Sequence, residues 1–125
     1  LLAEDNDLNA EIAAVILERA GLKVERVEDG LQCISRITEM PAGTYDIILM
    51  DIQMPKMDGY KATQTIRNLS DQEKACIPII AMTANAFEED KRAAIAAGMN
   101  GHIAKPIQVD KLLSILAEMI RQQEN

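Results

Sequence analysis

Along the chain, short apolar or β-branched runs alternate with longer stretches of helical period. Val24 to Val27, Ile47 to Met50, Ile77 to Met82 and Gly101 to Ala104 read as buried parallel strands, and Leu1 to Glu4 as the end of a further one. A buried strand usually runs about five residues, so this first strand is expected to be truncated at its N-terminus, in a segment of a longer protein. Helical segments lie between the runs. In the first, Leu8, Ile12, Val15, Ile16 and Ala20 share one face, with Asn6 or Asp7 as cap and Gly21 as stop. Ile34 and Ile37 mark a second helix, closed by Pro41 and Gly43. Tyr60 to Leu69 gives a third, and Phe87 to Ala97 a fourth that ends at Gly98. Leu112, Leu113, Leu116, Met119 and Ile120 form the apolar stripe of a fifth. No repeat, linker or low-complexity stretch interrupts the pattern, so residues 1–125 are expected to form one domain.

Repeated β-α alternation predicts a parallel sheet with helices on both faces, a three-layer α/β architecture. Ligands of such sheets bind beyond the carboxyl ends of the strands. Those ends carry Glu4-Asp5, Glu28-Asp29, Asp51, Thr83 and Lys105. An acid after a strand is ordinarily a helix cap, which accounts for Asn6 or Asp7 and for Asp29. Asp51 resists that reading, because the next helix does not begin until about Asp58 or Gly59. If the first strand is central, Glu4, Asp5 and Asp51 come from adjacent strands. Carboxylates gathered so closely repel one another unless a cation is present. Mg²⁺ fits, since it takes oxygen ligands, one or two carboxylates among them, and accepts phosphate. The same set suits phosphoryl transfer. Lys105 and the metal would neutralise the transferring oxygens, Thr83 would donate a hydrogen bond, and a carboxylate would be the nucleophile.

Composition narrows the alternatives. Apolar residues make up 48% of the chain, too many for a disordered acidic tail. The net charge of −7 argues against binding a phosphate backbone, and the aromatic residues (two Tyr, one Phe, no Trp) are too few to stack single-stranded bases. No run approaches about 18 consecutive apolar residues, so neither a membrane span nor direct membrane contact is expected. No signal peptide is evident, and Cys33 and Cys76 make neither a disulfide scaffold nor a metal site, so a reduced cytosolic setting is expected.

Glu4-Asp5-Asn6, the run from Asp46 to Gly59 that ends Met54-Pro55-Lys56-Met57-Asp58-Gly59, Met82-Thr83-Ala84 and Lys105-Pro106 resemble the receiver domains of two-component response regulators. The resemblance covers essentially the whole chain in order, and the central run is its most specific part. It implies a flavodoxin-like (CheY-like) sheet of order 2-1-3-4-5. It further implies that Asp51 is the phosphoacceptor, taking a phosphoryl group from phosphohistidine on a histidine kinase dimerisation domain or a histidine phosphotransfer domain. Glu4, Asp5, Asp51 and the backbone carbonyl of Gln53 would hold Mg²⁺. Thr83 would be the switch hydroxyl, Lys105 the lysine paired with the phosphoryl group, and Lys105–Pro106 a cis peptide that orients it. The acyl phosphate would form and slowly hydrolyse within the domain itself, whereas a parent hybrid kinase would be a transferase.

Particular positions depart from the family pattern. His102, the only histidine, stands where a switch Tyr or Phe is usual, and is expected to fill that slot with a smaller ring. Gln53 and Asn85 stand at positions that, in the family, tune how water reaches the acyl phosphate. Helix four has Ile95 as its only bulky aliphatic after Phe87, among Ala93, Ala94, Ala96 and Ala97. Those alanines suit either a loosely held helix that reports events at Thr83 or simply close packing on the sheet. The output surface, and a weak homodimer contact, would lie on helix four, strand five and helix five. Residues 79–87 and 98–102 resemble receivers fused to hybrid histidine kinases, which would place the domain in the cytoplasm, on a membrane-anchored parent or not. Competing readings are a receiver-like interaction module without phosphorylation, a phosphatase with an aspartyl nucleophile, and a flavodoxin. The intact set of site residues counts against the first and Gln53, where an acid is needed, against the second. Glu4-Asp5-Asn6-Asp7 would repel a flavin phosphate.

Overall fold

The computed structural model describes residues 1–83, 88–104 and 108–124. The apolar runs form β1 (Leu2–Ala3), β2 (Arg26–Val27), β3 (Ile48–Asp51), β4 (Ile79–Thr83) and β5 (Gly101–Ala104). All pair in parallel, in the order β2-β1-β3-β4-β5 expected of a flavodoxin-like sheet. The helices are α1 (Asp7–Arg19), α2 (Gly30–Glu39), α3 (Gly59–Arg67), α4 (Gln72–Ala75), α5 (Glu88–Ala97) and α6 (Val109–Glu124). One core layer joins Cys33 and Ile37 of α2, Ala62 and Ile66 of α3 and Ala94 of α5 to the sheet. The opposite layer joins Ala10, Ala13 and Leu17 of α1 and Leu112, Leu116 and Met119 of α6 to Leu2, Leu49, Ile80 and Met82. Three layers result, as the alternation requires.

Strand bounds shift from their expected places for local reasons. β4 starts at Ile79 rather than Ile77 because Pro78 has no N–H for the ladder; its carbonyl still accepts from Ile48 N at 2.9 Å. β3 runs one residue further than the apolar run and includes Asp51. β2 is short, yet Glu25 and Val27 carbonyls accept from Leu2 and Glu4 backbone nitrogens at 2.8 and 3.0 Å. The four-residue α4 follows from a local cap that periodicity does not reveal, the Asp71 carboxylate accepting from the N–H groups of Glu73 and Lys74.

The first helix corrects the expected buried face. Ala10, Ala13 and Leu17 are buried, whereas Leu8, Ile12 and Val15 are 64%, 48% and 43% exposed, and Ala20 is exposed too. Ala10 and Ala13 let α1 sit close on the sheet beside Leu17; of the expected face, Ile16 packs against the edge of the core, while Leu8, Ile12 and Val15 are left on the outer side. Leu113 of α6 is likewise 38% exposed while Leu112 and Leu116 are buried. Ile95 of α5 points outward, so α5 docks through Ala94 and Ala97. Phe87 and the Ile120 side chain lie outside the described residues.

Two arginines tie elements together. Arg67, at the end of α3, donates to the carbonyls of Gly98 (2.8 Å), Ala75 (2.7 Å) and Ile77 (2.6 Å) and to Asn100 Oδ1 (2.7 Å). It thereby fastens α3 to the turns that enter β4 and β5. Arg36 of α2 forks onto the Glu25 carboxylate at 2.8 and 2.7 Å, and Tyr45 donates to the same group. The hydrogen bonds from Arg36 and then Tyr45 hold the Glu25 carboxyl below its ordinary range.

Cys33 is fully buried and Cys76 exposed. Burial pushes the Cys33 thiol up to about 12 from an ordinary 9.0. A raised pKa favours the neutral thiol, so the associated stability is complete below about pH 9 and is lost as pH climbs from there toward 12. Thiol labelling of the native chain near pH 8 should modify Cys76 alone, with Cys33 reacting only in denaturant. Modification of both at equal rates would contradict this packing.

Candidate functional site

Strand order and register determine which side chains meet at the carboxyl edge of the sheet. Ala3 pairs with Met50, so the residues that follow, Glu4 and Asp51, emerge side by side. Asp51 pairs with Met82, and Thr83 stands one residue beyond it on β4. Among the described residues, Glu4, Asp5 and Asp51 bring carboxylate oxygens within 4.8 Å of one another. Glu4 is 1% and Asp51 5% exposed, while Asp5 faces solvent. Three carboxylates at this spacing, two of them shielded from water, repel unless a cation lies between them. An all-oxygen set open to solvent on one side suits Mg²⁺, which keeps several of its waters.

The loop after β3 is shaped to hold Asp51. The Gln53 N–H donates to Asp51 Oδ1 at 3.2 Å and orients the carboxylate. Met57 N donates back to Pro55 O at 2.7 Å in a tight turn that places Lys56 at φ 65°, a left-handed conformation rare for a side chain other than glycine or asparagine. Asp58 caps α3 by accepting from Lys61 N at 2.8 Å, and Gly59 N donates to Ile52 O at 2.9 Å. At Gly59 a Cβ would run into the Asp51 carbonyl and lie 3.0 Å from both Ile52 Cα and Met50 Cγ. Only glycine lets α3 begin this close to the Asp51 backbone.

The remaining strand ends divide. Asp29 is a cap, accepting from Gln32 N at 2.8 Å, and Gln32 Oε1 in turn accepts from Glu28 N at 2.8 Å. The acidic pair after β2 therefore does not join the cluster. Thr83 is buried at the end of β4. His102 lies half-buried on β5, paired with Ala81 and on the same face of the sheet as Thr83. It lines a shallow groove with Lys91, Asp110, Lys111 and Ser114. Lys105, Pro106 and Asn85 lie outside the described residues. Gly59 joins the site without having been marked by chemistry of its own, its one signal along the chain being its place directly after Asp58 in the central run. Arg26, beside Glu25 in the strand run Val24 to Val27, also reaches the site, with no motif to mark it.

The sequence profile of the response regulator receiver domain matches residues 1–117. The chain is 37% identical over 121 residues to the peroxide stress-activated histidine kinase mak1 of Schizosaccharomyces pombe, covering 96% of this chain and 7% of that kinase. It superposes on the receiver domain of sensor histidine kinase PA1611 from Pseudomonas aeruginosa, whose active-site cleft coordinates magnesium, with TM-score 0.84, 39% identity, and 95% and 93% of the two chains covered. A second likeness is to a co-crystal structure of the Saccharomyces cerevisiae histidine phosphotransfer protein Ypd1 with the receiver domain of its downstream response regulator Ssk1. There the TM-score is 0.87 at 27% identity, covering 98% of this chain and 88% of the other. The chain belongs to the response regulator receiver domain family.

The close approach at Gly59 makes a signed prediction. Alanine inside a helix is ordinarily favoured over glycine by about 1 kcal/mol. Gly59→Ala should instead destabilise the fold by about 1–3 kcal/mol in urea unfolding, because its Cβ displaces the Asp51 backbone. A stabilised variant would disprove the contact.

Proposed function

We propose that this receiver domain accepts a phosphoryl group on Asp51 within a two-component phosphorelay. The observation that carries the reading is the convergence of the Glu4, Asp5 and Asp51 carboxylates within 4.8 Å at the carboxyl edge of the sheet. An Asp51 oxygen attacks the phosphorus of a phosphohistidine. A P–O bond forms, the P–N bond breaks, and the imidazole departs with the electron pair and takes up a proton. Gln53 N–H restrains the carboxylate through Oδ1 during the attack. Thr83, buried one residue beyond the partner of Asp51, turns its hydroxyl to the new phosphoryl group, and Lys105 pairs with it. Glu4, Asp5, Asp51 and the Gln53 carbonyl would hold Mg²⁺, which supplies the positive charge that offsets the transferring oxygens. The response passes along β4 and β5, through Thr83 and His102, to the surface of α5, β5 and α6. Among the described residues α5 is buried only through Ala94 and Ala97, which supports movement of that helix.

The partner reading rests on α1. Leu8, Ile12 and Val15, at i, i+4 and i+7, leave an exposed apolar stripe that starts beside Glu4 and Asp5. Such a stripe fits the apolar face of a partner helix that presents phosphohistidine, from a histidine phosphotransfer domain or a kinase dimerisation domain. Ypd1 is a phosphotransfer protein seen with a receiver domain of this fold. The parent is a hybrid histidine kinase and the setting cytoplasmic. Among the described residues, no helix is long and apolar enough to cross a membrane.

Incubation with a small acyl-phosphate donor and Mg²⁺ should add a base-labile phosphoryl mass that Asp51→Ala abolishes. No adduct on the wild-type chain, or an adduct retained without Asp51, would reject the assignment. The Leu8→Ala, Ile12→Ala double variant should label normally from the small donor and fold normally, since both residues are exposed. Its transfer from a phosphohistidine partner should slow at least about tenfold, the equivalent of about 1.4 kcal/mol of docking energy. Equal loss with both donors would place the stripe in the chemistry rather than in docking.

A further inference from the structure

The three clustered carboxylates raise the question of what holds them together before a cation arrives. Asp5 is exposed, so packing does not position it; its place is set by the backbone of the turn between β1 and α1. That turn is gripped by one side chain from the neighbouring strand. Arg26 of β2 donates from Nε to the Glu4 carbonyl at 3.0 Å and from Nη1 to Asp7 Oδ1 at 2.8 Å. Its two anchors bracket Asp5. The third nitrogen, Nη2, is buried with no hydrogen-bond partner among the described residues. Burying such a donor unpaired costs about 1–3 kcal/mol, so the guanidinium sits where its other two bonds draw it.

We infer that Arg26 is a positioning residue for cation binding: it clamps the β1–α1 turn so that Glu4 and Asp5 are already gathered in the metal-free chain. The guanidinium does this by geometry and also by charge, since a cation beside the turn offsets part of the repulsion among the carboxylates. The metal-free state depends on the clamp more than the loaded state does, because a bound divalent ion holds the same carboxylates itself. This inference rests on the proposed Mg²⁺ site and adds to it a residue outside the ligand set.

The two contributions of Arg26 have opposite signs when it is removed, which makes the test decisive. Arg26→Met keeps the aliphatic stem but deletes a positive charge, and by Coulomb attraction alone the more negative turn would bind Mg²⁺ more tightly. Loss of the clamp predicts the reverse. In calorimetric titration at fixed ionic strength, Mg²⁺ affinity should fall about tenfold, the low end for residues that orient metal ligands. Arg26→Lys, which keeps the charge but not the fork, should fall between. In the metal-free chain, amide exchange at residues 4–7 should quicken in Arg26→Met and in Asp7→Ala, and saturating Mg²⁺ should restore protection in both. Equal or tighter Mg²⁺ binding by Arg26→Met, or unchanged exchange in the metal-free variants, would overturn the clamp while leaving the site standing. A wild-type chain that binds no Mg²⁺ would instead overturn the site and the clamp with it.

Discussion

Mutual repulsion among Glu4, Asp5 and Asp51 is the constraint around which this molecule is built. Left to itself, a chain with an excess of acids would keep three carboxylates apart, yet their oxygens lie within 4.8 Å. The sheet forces the approach. β1 lies between β2 and β3, and hydrogen bonding in register leaves Glu4 and Asp51 no freedom to separate. The apolar core on both faces supplies the free energy that holds those strands in place against local charge repulsion. A site under this kind of strain favours cations, and its unfavourable electrostatics without one are the source of that preference.

The surroundings of the cluster serve the same constraint. Gly59 allows α3 to start against the Asp51 backbone, and the Gln53 N–H orients the Asp51 carboxylate. Arg26 holds the turn that carries the other two acids. At the far end of α3, Arg67 ties the same helix to the turns entering β4 and β5. One helix is thus pressed against Asp51 at its start and fastened at its end to the strands that carry Thr83 and His102. Among the described residues, α5 buries Ala94 and Ala97 and leaves Ile95 outside. Rigid support around the acids and a lightly held helix beyond them are what a phosphorylation-driven response needs.

Much of this was legible along the chain. Apolar runs broken by helical periods determined the layered α/β class, and the residues at the run ends identified Glu4, Asp5, Asp51 and Thr83, because ligand chemistry in such sheets gathers at strand ends. Local chemistry also determined the cap at Asp29 and the stop at Gly21, and placed the start of α3 at about Asp58 or Gly59. Tertiary structure alone decided which of two apolar faces α1 buries. Ala10, Ala13 and Leu17 won over Leu8, Ile12 and Val15 because closeness to the sheet, not side-chain size, limits packing there. It alone brought Asp51 beside Glu4, since strand order and register, not position along the chain, make β1 and β3 neighbours. Pairings such as Arg26 with Glu4 and Asp7, or Arg67 with Gly98 and Asn100, join residues far apart in the chain. Periodicity records each residue's own element, whereas these contacts depend on how elements stack, and that is decided only when the chain folds.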